Sequence, residues 1–346
     1  MQNNPLHNNN FDFLRFLFAS FVICTHTYAL LGHIEDEPLF ILSGRVFSEI
    51  GVCGFFVISG YLIHQSLERS SSLLSFARKR ITRIFPGLIV AVLFSALVIG
   101  CLVTTLPITA YLSHKETWLY ILDNTFLVPR QLTLPGVFTH NAETAVNGSL
   151  WTLRYELLLY GLLALLFFLP RKAKKWILPL LFLLCVSGYL AARQGLFAAL
   201  PAGLQFLSYL GSLFHLSCYF SAGAALSLVT PFLHKRKTAL LLLSTALFLI
   251  ALFSPQKEIA IIGHIVSFPL MVLTFGLHYT RILHFSKYTG DISYGTYIYA
   301  YPLQQALIVW LQPQNAAFLM VLSFILSWLM GYLSWHLVEK RFLGKR

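Results

Sequence analysis

The sequence predicts an all-α integral membrane protein with about ten transmembrane helices and both termini in the cytoplasm. Three observations lead to this fold class. Hydrophobic residues make up 57% of the 346 residues and charged residues only 11%, too few to cover a soluble protein of this size. The apolar residues form continuous runs of about 20, the length of a membrane-spanning helix, and lack the alternation of a β-barrel. Basic residues concentrate in every second connection between the runs.

The apolar runs define ten predicted spans in order along the chain. The first carries Asp12 and Arg15 and lacks a cleavage-site pattern, so we expect an uncleaved span and no secretory signal peptide. The longest interruption, residues 107–149, is predicted to be an ordered outer loop within a single membrane domain over residues 1–346. The ten spans lie near residues 12–32, 46–67, 86–106, 150–169, 176–192, 204–229, 238–254, 259–279, 291–311 and 316–338.

The net charge of +12 arises from 25 basic and 13 acidic residues. In the ten-span arrangement most of the basic residues fall in alternate connections, including Arg78–Arg83, Arg171–Lys175 and Lys235–Lys237. An excess of lysine and arginine marks cytoplasmic loops. Both termini are therefore predicted to be cytoplasmic. Because the positive charge is explained by orientation in the membrane, we expect no nucleic-acid partner.

Ionisable side chains inside predicted spans are costly and mark candidate functional positions. Arg15 and His26 are eleven residues apart in the first span, about three helical turns, so they share one face. His26 lies roughly 16 Å beyond Arg15, towards the outer surface. An imidazole suits general base chemistry near neutral pH. The alternative interpretation is an interfacial arginine and a histidine satisfied within the core.

Arg80 and Arg83 are three residues apart, directly before Phe85-Pro86 and the third predicted span. On a helix this spacing puts both guanidinium groups on one face, where they form a fork suited to a phosphate group. The alternative is a pair of basic anchors that contact lipid headgroups.

The segment NGSLWTLRYE, from Asn147 to Glu156, begins the fourth predicted span at its outer end. Glu156 lies about six residues in, roughly 9 Å deep, and His26 lies at a similar depth in the first span. A carboxylate at that depth could orient an imidazole and stabilise its charge. The alternative is a structural ion pair that Arg154 or Glu156 makes with a neighbouring helix.

The second predicted span contains GFFVISGYLI, from Gly54 to Ile63. Its small residues Ser59 and Gly60 allow another helix or a thin ligand to come close, and helix packing alone explains them equally well. The five cysteines are far apart and the histidines lack metal-ligand spacing, so we expect no metal and no disulfide framework.

Taken together, these residues resemble acyltransferase family 3, membrane enzymes that O-acylate surface glycans and other acceptors. The resemblance runs in order through nearly the whole chain. The matching segments are Arg15-x10-His26, FFVISGYLI, Arg80-x-x-Arg83 with Pro86, Trp151-Thr-Leu-x-x-Glu156, Ser293-Tyr294-Gly-Thr-Tyr297 and His336-Leu-Val-Glu339-Lys-Arg341.

The resemblance implies ten spans in a bacterial cytoplasmic (inner) membrane and acetyl-CoA as the cytoplasmic acyl donor. It also implies a catalytic histidine at His26 and functional roles for Arg15, Arg80 and Arg83. One position departs from the family. Many members carry a histidine three residues after the tyrosine that matches Tyr297, and this chain has Ala300 there. We therefore carry over no role for that histidine, and since we see no appended soluble domain, we expect the membrane unit to act alone or with a partner.

The hypothesis that follows is acyl transfer across the membrane. Arg80 and Arg83 would hold the phosphates of acetyl-CoA, and its pantetheine arm would pass Arg15 to reach His26. His26 would deprotonate the acceptor hydroxyl or carry the acyl group. Glu156 would orient His26. The expected partners are a glycan or lipid-linked glycan acceptor and membrane lipid, and the residues expected to line the acceptor pocket are Asn147, Trp151 and Tyr297.

Two other functions are compatible with parts of the sequence. A transporter or lipid-linked glycan flippase would use the buried charges as a pathway, but such folds carry inverted repeats and no convincing repeat is present. A non-catalytic scaffold would leave the matching depths of His26 and Glu156 unexplained.

Overall fold

The computed structural model describes residues 9–128, 130–195, 210–313 and 315–343. Every regular element in these residues is helical, and eight segments are long and apolar enough to cross a membrane. The prediction of an all-α integral membrane protein is therefore confirmed. The number of crossings and the side on which the termini lie stay predictions.

Ten long helices follow one another within the described residues, and each overlaps one predicted span. Residues 204–209 of the sixth predicted span lie outside the described residues. The helices are α1 (Phe11–Leu30), α2 (Phe47–Glu68), α3 (Leu73–Leu93), α4 (Trp151–Ala164), α5 (Arg171–Arg193), α6 (Leu210–Leu226), α7 (Thr230–Leu252), α8 (Lys257–Gly276), α9 (Ser293–Leu311) and α10 (Ala316–Ser334).

The eight apolar segments do not map one to one on these helices. A single 3₁₀ turn, Ser227–Val229, joins α6 to α7, so the two form one segment, Leu210–Leu252. The ninth helix, α9, is not among the eight segments. Tyrosine and glutamine residues lower its hydropathy, and several of them are buried inside the protein.

Three connections predicted as basic loops are wholly or partly helical, and one of them, Arg171–Lys175, forms the start of α5. The helix α3 begins at Leu73 and contains Pro86, whereas the third span was predicted to start near that proline. Lys235–Lys237 likewise lie inside α7, which has a proline in its first turn. Proline fits the first turn of any helix, and inside a membrane helix the surrounding protein can satisfy the freed carbonyl. The Arg80 and Arg83 pair therefore sits on a helix.

The predicted outer loop 107–149 contains two short helices, Ile108–Ser113 and Lys115–Thr125. The Tyr111 hydroxyl donates to the carbonyl of Ala96 at 2.7 Å, which ties the first short helix to the π-helical segment Phe94–Ile99 that continues α3. Tyr111 and Tyr120 are fully buried, and this burial raises the pKa of both phenols. The described part of the loop is thus ordered by its own buried side chains.

The chain divides into two compact units. Unit 1 comprises the described parts of residues 1–14, 53–76 and 155–284, and unit 2 those of 15–52, 77–154 and 285–346. In unit 1, α5 packs on α6 and α7 on α8; in unit 2, α9 packs on α10. A single domain over the whole chain stays a prediction.

Candidate active site

His26 lies in α1 within unit 2, and its surroundings leave one ring nitrogen available. The residue is half-buried, and its Nδ1 atom is buried without a hydrogen-bond partner among the described residues. The ring of Tyr301 in α9 packs edge-on against the imidazole, with ring centroids 5.0 Å apart and planes at 82°. Buried polar atoms are normally paired, so an unpaired imidazole nitrogen inside a span is a candidate for chemistry.

The residues on either side of His26 fix its position on α1. Thr25 donates to Oε1 of Glu37 at 2.7 Å, and Gln304 of α9 donates to the hydroxyl of Thr27 at 2.9 Å. Glu37 is fully buried and also accepts from the backbone N–H of Phe47 at 2.8 Å. Thr25 and Glu37 therefore satisfy the first N–H groups of α2 and connect that helix end to the catalytic candidate.

Asn147 and Tyr297, both predicted to contact the acceptor, have internal partners. Asn147 donates to the carbonyl of Ile298 at 2.8 Å and accepts from the N–H of Ser149. The Tyr297 hydroxyl donates to the carbonyl of Ser149 at 2.8 Å. These bonds hold the turn at Gly148, where a Cβ atom would lie 2.6 Å from the ring of Tyr301. Direct contact of Asn147 and Tyr297 with an acceptor stays a prediction.

Trp151 borders a cavity in unit 2. Its side chain is 43% exposed, and with Asn147 and Arg154 it lines a space of about 110 Å³ that is also lined by Asn124, Leu127, Val128, Leu132 and Ala145. The predicted acceptor residues Asn147 and Trp151 and the outer loop are therefore neighbours in this unit.

Glu156 lies in unit 1, where Oε1 accepts hydrogen bonds from Ser59 at 2.9 Å and from Tyr160. This contact connects two motifs that the sequence presents separately, the small residues of the second span and the acidic residue of the fourth. His26 belongs to unit 2. The pairing of Glu156 with His26 therefore stays a prediction.

The predicted phosphate-binding arginines surround two carboxylates in unit 2. Arg83 contacts Asp291 at 2.6 Å and Glu339 at 3.3 Å, and Arg15 contacts Asp291 at 3.4 Å. The carboxylates are almost fully buried, whereas about a quarter of each arginine side chain is exposed. Arg80 lies one turn earlier than Arg83 on the same helix, half-buried. Two guanidinium groups, those of Arg15 and Arg83, thus contact two buried carboxylates, with Arg80 one helical turn away from Arg83.

Hydroxyl and aromatic groups hold this cluster in place. Ser293 donates to Asp291 at 2.5 Å, and Ser334 donates to Glu339 at 2.8 Å. The guanidinium of Arg83 lies 5.7 Å from the ring centroid of Tyr294, in the range of a cation–π contact. The motifs Ser293-Tyr294 and His336-Leu-Val-Glu339 therefore serve to position Arg83.

Three features of the site escaped the sequence analysis: the role of Glu37, the role of Asp291 and the contact between Ser59 and Glu156. The chain has only 13 acidic residues, and a carboxylate next to an apolar run needs a partner. The small number of acidic residues is the sequence signal that marks Glu37 and Asp291 as candidates. The partners could not be named, because Arg83 and Asp291 are 208 positions apart and only the fold brings them together.

Comparisons with known proteins identify the family of the chain. A family model described as an acyltransferase domain matches residues 8–332. An O-acetyl transferase of Shigella phage Sf6 is 29% identical over 98% of both chains. Nodulation protein 10 of Rhizobium leguminosarum bv. viciae is 35% identical over 49% of this chain and 47% of its own. No solved structure matches. The chain therefore belongs to acyltransferase family 3 and is an acyltransferase.

Proposed function

We propose that this acyltransferase moves an acetyl group from cytoplasmic acetyl-CoA to a hydroxyl group of a glycan on the outer side of a bacterial cytoplasmic membrane. Within unit 2, Arg15 of the arginine cluster and His26 lie on the same helix, about 16 Å apart along its axis. The observation that carries the proposal is the state of His26, with one buried ring nitrogen unpaired among the described residues.

The acetyl group is supported by the likeness to a phage protein named O-acetyl transferase. The donor has its substrate site at the arginine cluster, where Arg80 and Arg83 contact its phosphates. Because Asp291 and Glu339 offset the charges of Arg15 and Arg83, net attraction for a phosphate is weaker than free arginines would give. The carboxylates instead hold the guanidinium groups in fixed orientations, so less side-chain entropy is lost when the donor binds.

His26 acts as the general base. It takes the proton of the acceptor hydroxyl as the hydroxyl oxygen attacks the thioester carbonyl carbon, and collapse of the adduct breaks the carbon–sulfur bond. The proton then passes from His26 to the departing thiolate, so the enzyme returns to its starting state. Tyr301 orients the imidazole by its edge contact, and Glu156 stabilises the imidazolium that forms transiently.

Transfer from radiolabelled acetyl-CoA is measured in proteoliposomes that contain the purified protein and an outer-membrane glycan extract. His26→Ala lowers kcat by about 100-fold or more, the usual contribution of a general base. His33→Ala, an exposed histidine just after α1, leaves transfer unchanged and is the matched control. Undiminished transfer by His26→Ala would refute the assignment, and glycan movement without acetyl-CoA would support a transporter or flippase instead.

The role of Glu156 has a separate readout in the same assay. Glu156→Gln keeps the shape of the side chain and the hydrogen bonds from Ser59 and Tyr160, but removes the charge. We expect kcat to fall while KM for acetyl-CoA stays the same. An unchanged kcat would reject the role of Glu156 in positioning His26 and would leave the assignment of His26 itself intact.

A further inference from the structure

A second basic site lies in unit 1, where α2 ends and α5 begins. A cavity of about 420 Å³ opens there, and the proposed transfer reaction uses none of its residues. Its wall carries four basic side chains, one carboxylate and one histidine: Arg69, Arg171, Lys174, Lys175, Glu68 and His64.

Ion pairs anchor part of this wall. Glu68, the last residue of α2, accepts from Lys174 at 2.6 Å and from Arg171 at 3.0 Å. The Lys174 side chain is only 7% exposed, so its ammonium group is held inside the protein, while Arg69 and Lys175 are exposed. The tendency of lysine and arginine to flank membrane spans explains exposed basic residues but gives no reason to bury Lys174.

His64 provides an independent sign of a ligand. It is 4% exposed, and its Nδ1 lies 2.6 Å from the hydroxyl of Ser227. Its Nε2 is buried on the cavity wall and has no hydrogen-bond partner within the described ranges. Ser227 donates its hydroxyl proton to the carbonyl of Ala224 at 2.6 Å, so its oxygen accepts from Nδ1–H of His64. The ring also becomes a donor at Nε2 when it is protonated, and an anion in the cavity favours this imidazolium form. An oxygen acceptor in the cavity would satisfy this atom.

The start of α5 adds to the positive field. Four of its first five residues are basic, and no side chain caps its N-terminus. The helix dipole already makes that end positive, so cations there cost stability unless an anion is present. An anionic ligand in the cavity would offset this repulsion.

We propose that this cavity binds the phosphate group of an anionic ligand, with Lys174 and Lys175 supplying positive charge and Nε2 of His64 a hydrogen bond. Phosphate fits because it accepts several hydrogen bonds and because its negative charge balances the excess of positive charge on the wall. The phosphate comes either from an anionic phospholipid headgroup or from a soluble phosphate ester.

The test uses the purified full chain in nanodiscs. One arm titrates adenosine 3′,5′-bisphosphate into phosphatidylcholine nanodiscs and measures Kd by calorimetry. The other compares how many phosphatidylglycerol and phosphatidylcholine molecules the protein retains in native mass spectrometry. Binding in the first arm identifies a soluble ester, and selective retention in the second identifies a lipid headgroup.

Two variants make the test specific to the cavity. Lys175→Ala removes an exposed lysine of the wall. In whichever arm shows binding, we expect this variant to weaken the binding about tenfold, the usual effect of one charged hydrogen bond. Lys172→Ala removes an exposed lysine of the same helix turn that does not line the cavity, and should change nothing. The proposal is overturned if neither probe binds, if Lys175→Ala leaves the binding unchanged, as it would for binding at the arginine cluster, or if both variants lose binding equally. These measurements do not depend on acyl transfer, so they separate this site from the proposed reaction.

Discussion

At the scale of single residues, four ionisable groups of unit 2 pair with one another, whereas His26 has no ionic partner among the described residues. Arg15, Arg83, Asp291 and Glu339 neutralise one another, which is how charges are kept inside a membrane protein. His26 has only a ring contact on one side and an unpaired nitrogen among the described residues. Because proton transfer requires a nitrogen that is not already bonded, this difference separates the proposed base from the groups that position the donor.

Glu37 is a residue whose charge should affect stability. Burial raises the pKa of this carboxyl above its ordinary value of 4.5, although the hydrogen bonds from Thr25 and Phe47 oppose the shift. The folded protein therefore keeps a proton on Glu37 at pH values where the unfolded chain has released it. This contribution to stability is fully present below pH 4.5 and is lost as the pH rises through the folded pKa.

Glu37→Gln tests this dependence, because glutamine keeps the carbonyl acceptor and cannot ionise. We expect the Tm of the variant, relative to that of the natural protein, to rise between pH 5 and pH 8, as measured by thermal unfolding in detergent. The control is Glu35→Gln, an exposed neighbour in the same connection. A Tm difference that stays constant with pH, or that moves in the opposite direction, would contradict the prediction.

At the scale of helices, the sequence predicts where each helix lies along the chain but not the residues at which it begins and ends. Continuous apolar runs locate all ten helices, because a span needs a minimum apolar length whatever it packs against. The helices α3, α5 and α7 begin earlier than the apolar runs predict, because basic residues that interrupt an apolar run here continue the helix. Contacts such as Arg83 with Asp291 join distant parts of the chain, and a single sequence without its fold gives no register between helices.

The close contact between α2 and α6 in unit 1 gives a prediction at this scale. A Cβ atom added to Gly60 would lie 1.9 Å from the carbonyl oxygen of Phe220, and one added to Gly223 would lie 2.1 Å from that of Val57. Gly60→Ala therefore forces the two backbones apart, and we expect a loss of about 1–3 kcal/mol or more in the free energy of unfolding. The measurement is thermal or denaturant unfolding of the purified protein.

Gly161→Ala is the matched control for Gly60→Ala. Gly161 lies in α4 and a Cβ atom there meets nothing within 4 Å. Alanine favours a helix interior over glycine by roughly 1 kcal/mol, so this variant should be as stable as the natural protein or more so. Equal destabilisation by both substitutions would show that the contact between α2 and α6 is not the cause.

At the scale of the whole molecule, the proposed reaction depends on orientation in the membrane. In the proposed reaction the donor is cytoplasmic and the acceptor is outside, so the arginine cluster and the outer loop must face opposite sides. The charge of the connections predicts this arrangement, with the residues between α2 and α3 in the cytoplasm and residues 107–149 outside. A protein inserted the other way would present its arginines to a compartment without acetyl-CoA.

Cysteine accessibility tests the orientation directly. All five native cysteines lie in helices and are replaced by alanine, after which Ser71→Cys and Thr139→Cys are introduced one at a time at exposed positions. In intact bacterial spheroplasts, a membrane-impermeant maleimide should label Thr139→Cys at once and Ser71→Cys only after the membrane is permeabilised. Retained acetyl transfer in each variant shows that the fold is preserved.

The reversed pattern would place the arginines outside and exclude a cytoplasmic donor. Labelling of both positions in intact spheroplasts would contradict the prediction that the connections between α2 and α4 lie on alternate sides of the membrane. Since acetyl-CoA is confined to the cytoplasm, only the first pattern allows the arginines and the donor to meet.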